Sequence, residues 1–143
     1  HAGLFSTASD LAIFSQMMLN GGIYGWKRFF KSETVNDFTK KANVIEGSSR
    51  ALGWDTPSGK ASGGRYLSES SFGHTGFTGT SLWIDPNNQL FVILLTNAVH
   101  PNRSYKDPNY YDWRQIIHSS IYESLGINNM NNNLEWRERW QKN

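Results

Sequence analysis

Six apolar residues in unbroken succession, Leu90-Phe91-Val92-Ile93-Leu94-Leu95, leave this chain few ways to fold. The run is much shorter than the roughly 20 residues of a membrane-spanning helix. Its β-branched middle suits a strand covered on both faces. Residues 80–84 read as a neighbouring strand, joined to it through the turn Asp85-Pro86-Asn87-Asn88, and residues 72–77 read as a third. Residues 72–77, 80–84 and 90–96 therefore predict an antiparallel meander, whose apolar faces need helices over them.

The helices are legible too. Thr7-Ala8-Ser9-Asp10 has the form of a capping box, with Thr7 as cap and Asp10 as the acid that the helix dipole favours. Leu11, Phe14, Met17 and Met18 follow at helical spacing, and Asn20-Gly21-Gly22 supplies a stop. Ser32 is expected to cap a shorter helix ending at Phe38 or Thr39. Trp113, Ile116, Ile117, Ile121 and Leu125 mark an amphipathic helix ended by Gly126. Residues 40–70 read as Gly- and Ser-rich loop with one short strand at 51–54, and residues 97–109 as a second loop. The pattern predicts an α+β fold over residues 1–127, an antiparallel β-meander flanked by helices. Residues 128–133 read as an Asn-rich linker opening a tail, 128–143, in which Leu134, Trp136 and Trp140 either dock or fray.

Charge and residue counts narrow the function. A net charge of +2, with Lys and Arg scattered, gives no basic face for a nucleic acid. The absence of cysteine excludes disulfides, thiol catalysis and Cys-ligated zinc. His1, His74, His100 and His118 have no metal-site spacing, so no metal and no cofactor is expected. His118 reads as a packed or surface helix residue and His100 as loop polarity. The chain opens at His1 without an initiator Met and reads as part of a longer protein.

His74 is the exception. It lies in Ser71-Phe72-Gly73-His74-Thr75-Gly76-Phe77-Thr78-Gly79-Thr80, where glycines let a ligand approach the backbone. By residue type alone, a polar residue on an edge strand beside a bulge explains it equally well.

Three landmarks in order carry a family resemblance. His1-Ala2-Gly3-Leu4-Phe5-Ser6-Thr7-Ala8-Ser9-Asp10-Leu11 resembles a helix start of the serine β-lactamase/penicillin-binding-protein superfamily, especially its class C and esterase-like branch. Phe72-Gly73-His74-Thr75-Gly76-Phe77 resembles that family's third motif, Lys/His-Thr/Ser-Gly, on the strand lining the active site. Leu94-Leu95-Thr96-Asn97 with His100-Pro101-Asn102 resembles the end of the next strand and its Pro-Asn loop. The resemblance implies the C-terminal part of the β-lactamase/transpeptidase-like fold. It implies acyl transfer on β-lactam, ester or D-amino-acid peptide substrates, and a bacterial periplasm or cell envelope.

Carried over by position, His74 would stand where the motif's Lys orients an anionic substrate group and joins a proton relay. Thr75 would offer its hydroxyl to a substrate carboxylate, and Gly76 would keep the strand clear of a side chain. The Phe77 backbone N–H would be one of two oxyanion donors, and Asn102 would help to bind substrate. Histidine titrates near pH 6.5 where lysine stays cationic, which leans the expectation from β-lactams toward peptides or esters.

The family's nucleophile sits in Ser-x-x-Lys, and a second motif, Tyr-x-Asn or Ser-x-Asn, shares the proton work. None of the three patterns occurs in these 143 residues. The expectation is a fragment of a serine hydrolase, inactive alone, whose partner is the N-terminal part of the same domain carrying the nucleophile. Without that part, apolar surface around Leu11, Phe14 or the meander would favour self-association. The alternatives are a non-catalytic module of the same fold that binds peptidoglycan or a protein, and a small α+β domain with accidental similarity.

Overall fold

Thr7 opens the first helix as expected: its hydroxyl accepts from the Asp10 amide at 3.1 Å and donates to the Asp10 carboxylate at 3.0 Å. In the computed structural model, which describes residues 3–59, 61–105 and 108–135, helix α1 spans Ala8–Leu19. Gly21 and Gly22 end it with φ of 60° and 90°, while their amides bond back to Met18 O and Met17 O. That left-handed exit is one L side chains rarely adopt.

A two-stranded hairpin that the sequence did not announce follows, β1 (Ile23–Tyr24) with β2 (Lys27–Arg28). Helix α2 spans Ser32–Thr39, but Lys31 holds its cap position and no side chain caps it. Ser32 is thus the first helical residue rather than the cap.

The meander is present, with its outer strands shorter than expected and its middle strand shifted by one residue. Strands β3 (Phe72–Thr75), β4 (Ser81–Asp85) and β5 (Leu90–Leu94) form one antiparallel sheet in the order β3-β4-β5. Residues 51–54 are a turn rather than a strand, closed by Ala51 N–H to Trp54 O at 2.9 Å. Pairing falls on the flanks instead, Arg50 with Asp55 and Asp55 with Gly73. The apolar run at β5 lies at the edge of this sheet with only Val92 buried, whereas β4 is central and has Ser81, Trp83, Ile84 and Asp85 buried. Apolar continuity pointed to the wrong strand. β4 is central because it pairs with β3 along one edge and β5 along the other.

Helices cover both faces. Phe72 and Ile84 pack with Met17, Met18 and Val35, joined by Phe14, Leu82, Phe91 and Trp54. Trp83 and Val92 face the other way, against Tyr66, Leu67 and Tyr122. Tyr122 belongs to α3 (Pro108–Ser124), which begins inside the expected loop and ends as expected before Gly126, at φ 74°. The fold is α+β.

Of the two fates posed for Leu134, docking holds: it packs on the second cluster and bridges Gly59. Asn131 donates its amide hydrogens to Leu67 O at 2.9 Å. His1, Trp136 and Trp140 lie outside the described residues. Among the described residues no helix is long and apolar enough to cross a membrane. Leu11 and Phe14 are half-buried, and the apolar side chains most open to solvent are Leu4, Phe5 and Trp26.

Candidate functional site

Strand β3 carries the candidate residues because Gly73 lets it lie flat on β4. A Cβ at Gly73 would run into the Leu82 carbonyl and the Trp83 indole, so this glycine serves packing. His74 stands opposite Leu82 and Thr75 opposite Ser81. After Thr75 the chain turns tightly: Gly76 N–H bonds Thr80 O at 2.8 Å and Gly79 N–H bonds Gly76 O at 3.1 Å. A Cβ at Gly76 would collide with Thr80 Oγ1, so the bare backbone there is an internal requirement as well.

The outer edge of β3 is used once. Asp55 and Gly73 exchange both backbone bonds, at 2.7 and 3.0 Å. Past Gly73, no strand pairs with that edge among the described residues. His74 Nδ1 lies 2.8 Å from Thr75 O, and its Nε2 lies 3.1 Å from Arg50 Nη1. The same Nη1 forms an ion pair with Asp55 Oδ1 at 2.8 Å. His74 is thus held from two sides, by its neighbour Thr75 and by Arg50, which sequence reasoning missed. Arg50 stands 24 positions away, and no spacing rule connects it to the motif.

Phe77 follows at the loop's crest, its ring 65% exposed beneath the Arg103 guanidinium, 5.2 Å from the ring centre. Ala98 N–H to Thr78 O at 2.7 Å ties the segment after β5 to the same loop. Asn102 lies on that segment and caps the short helical turn Arg103–Tyr105 by accepting the Ser104 amide at 3.0 Å. The structure therefore brings His74, Thr75, Gly76 and Phe77 together on one strand and loop. Asn102 is a neighbour of the Phe77 contact, and its side-chain oxygen is engaged locally.

Cavities frame this wall unevenly. A cleft of about 320 Å³ touches Thr75 and is lined by Asp55, Ser58, Ser62, Trp83 and Arg114. A larger one, about 610 Å³, lies between α2 and residues 56–58 and touches none of the predicted site residues. The smaller cleft has the better claim on chemistry, since size alone brings no reactive group to the larger. Among the described residues no group of three or more His, Asp or Glu is placed to hold a metal ion.

Behind the wall, α3 meets β4 through buried polar pairs. His118, fully buried, has Nε2 3.0 Å from Ser81 Oγ. Burial, reinforced by the Arg114 charge, pulls its imidazole down to about 4. Four residues further along both elements, Tyr122 donates to Asp85 Oδ2 at 2.9 Å. Burial pushes Asp85 up, but hydrogen bonds from Ser68, Asn88 and Tyr122 outweigh it and hold the carboxyl below its usual range. Burial and the Asp85 charge push the Tyr122 phenol far up, so it stays a donor. His118 is packed, and its ring faces away from solvent.

Comparison with known proteins identifies the family. The family model Beta-lactamase matches residues 1–116. A protein of Escherichia coli K12 named "Putative D-alanyl-D-alanine carboxypeptidase" is 39% identical over 122 residues, covering 81% of this chain and 27% of its own length. A protein of the same name from Salmonella typhi is 42% identical over 104 residues, covering 70% of this chain and 23% of its own. The chain thus spans about a quarter of the length of these curated relatives. By the extent of the family match and the order of its landmarks, this chain belongs to the beta-lactamase family of serine hydrolases.

Proposed function

We propose that residues 72–80 form one wall of an acyl-transfer site whose serine nucleophile comes from a preceding part of the same domain. The observation that carries this reading is the open outer edge of β3 past Gly73, leading into the Gly76–Thr80 turn. An extended substrate laid on that edge meets Thr75, the bare Gly76 backbone and the Phe77 amide in succession. Thr75 offers its hydroxyl to the substrate, and Phe77 N–H stabilises the oxyanion, a contribution of about 3 kcal/mol of barrier. His74 orients the substrate from the strand, and Asn102 borders the site through the Arg103–Phe77 contact.

The favoured substrate is a peptide ending in D-alanyl-D-alanine, in keeping with the names of the relatives, and the favoured compartment is the bacterial envelope. The serine oxygen attacks the penultimate carbonyl, the terminal D-alanine leaves with a proton on its nitrogen, and water then hydrolyses the acyl-enzyme. Exposed Leu4 and Phe5, 91% and 96% open, belong to the surface on which the nucleophile-bearing part packs.

The test is to express the full-length protein and assay D-alanine release from N-acetyl-D-alanyl-D-alanine, together with covalent labelling by a fluorescent penicillin. Labelling and turnover are expected, each lowered about a hundredfold or more by Gly76→Val. Full-length protein that neither labels nor turns over peptide, ester or β-lactam overturns the reading, and tight peptidoglycan binding in its place would establish the non-catalytic module.

A further inference from the structure

The contacts around His74 decide its hydrogen-bonding state. A guanidinium has only donors, so Nε2, 3.1 Å from Arg50 Nη1, must offer its lone pair. A backbone carbonyl only accepts, so Nδ1, 2.8 Å from Thr75 O, carries the proton. In this arrangement both ring nitrogens are engaged. The fixed positive charge held against this strand is that of Arg50.

Arg50 spends one nitrogen on these contacts. The two hydrogens of Nη1 go to His74 and to Asp55. Among the described residues nothing engages Nε or Nη2, and the side chain is 57% exposed against 27% for Asp55. That remaining edge is the planar two-donor fork that matches a carboxylate. The turn at 51–54 holds Arg50 in place, since its flanking residue Asp55 is bonded to Gly73 on the strand itself.

We propose that Arg50 is the specificity-determining residue of this site, its Nε/Nη2 edge reading the carboxylate of a substrate laid on the open edge of β3. Asp55 and His74 are positioning residues that hold its other nitrogen. This assignment rests on the acyl-transfer reading for its substrate class, though not for its binding test. An exposed ion pair with a purely structural role would contribute little and would not distinguish ligands by charge.

The experiment compares N-acetyl-D-alanyl-D-alanine with its C-terminal amide, by calorimetric titration of full-length wild type, Arg50→Gln and Arg50→Lys. Wild type is expected to bind the carboxylate about tenfold or more tightly than the amide. Arg50→Gln should bring that ratio close to one. Arg50→Lys keeps the charge without the fork and should lose several-fold; it decides the matter if Arg50→Gln fails to fold.

A wild-type ratio near one, or a ratio untouched by Arg50→Gln, overturns the assignment. Intact discrimination lost in Arg50→Gln, but without D-alanine release by wild type, overturns acyl transfer and leaves Arg50 as the anion reader. Binding of neither probe overturns both.

Discussion

On one face of the three-stranded sheet, Met17, Met18, Val35, Phe72 and Ile84 meet as an apolar cluster. On the other, Tyr66, Leu67, Trp83, Val92 and Tyr122 surround two buried polar pairs, Ser81 with His118 and Asp85 with Tyr122. The first face depends on removing apolar area from water, which tolerates approximate fit. The second depends on hydrogen bonding at its buried polar groups, since one left alone, as His118 Nδ1 is, costs more than a bond contributes. Asp85 is the extreme case: fully buried, it accepts from Ser68, Asn88 and Tyr122 at once.

The comparison breaks most sharply at Asp85. Asp85→Ala in the full-length protein orphans all of those donors and should cost about 4 kcal/mol in denaturant unfolding. Its folded carboxyl lies below the usual range, so the stabilisation is present above the unfolded value of about 3.9 and is lost as pH falls through the folded one. The penalty should therefore shrink in acid, and a penalty that is the same at pH 7 and pH 3 would remove Asp85 from this role.

Phe72→Ala on the opposite face should cost about 3.5 kcal/mol, from lost transfer energy and a cavity beside Trp54, whose ring lies 5.2 Å away. That loss should be independent of pH, because no titrating group meets the cavity. A marked acid dependence would show that the two faces are not separable.

His118 supplies the third test. It stays neutral down to about 4 in the fold, against an ordinary value of 6.5 when unfolded. Between those values the unfolded chain binds the extra proton, so stability should fall as pH drops from 6.5 toward 4, by on the order of 3 kcal/mol. His118→Gln should flatten that stretch of the stability profile, and a slope that survives the substitution must come from another group.

The smallest expected effect is Tyr122→Phe, which removes one of several donors to Asp85 and should cost about 1.5 kcal/mol by thermal unfolding. A loss as large as that of Asp85→Ala would mean that the network fails as a unit.

Much of the apolar face was legible in advance. Leu11, Phe14, Met17 and Met18 recur at helical spacing, and the capping box and the glycine stop mark both ends of α1. The motif at His74-Thr75-Gly76 was equally plain as a candidate wall, and its order with the flanking landmarks placed the chain in its family. The polar face was not legible. Ser81 read as an ordinary strand residue, Asp85 as part of a turn and His118 as a helix residue with no assigned partner, so the apolar run at β5 looked like the better-buried strand. Nor was Arg50 legible, since it reaches His74 only through the bridges that set its turn against β3.

The division has one physical cause. The sequence by itself determined the helix caps, the turns, the meander and the family motif, because each depends on residues within a few positions of one another. Only the tertiary structure decided which strand is most buried, that Ser81 meets His118 across 37 positions, and that Arg50 reaches His74. A buried polar group is stable only beside its partner, and where that partner comes from distant sequence no local pattern names it.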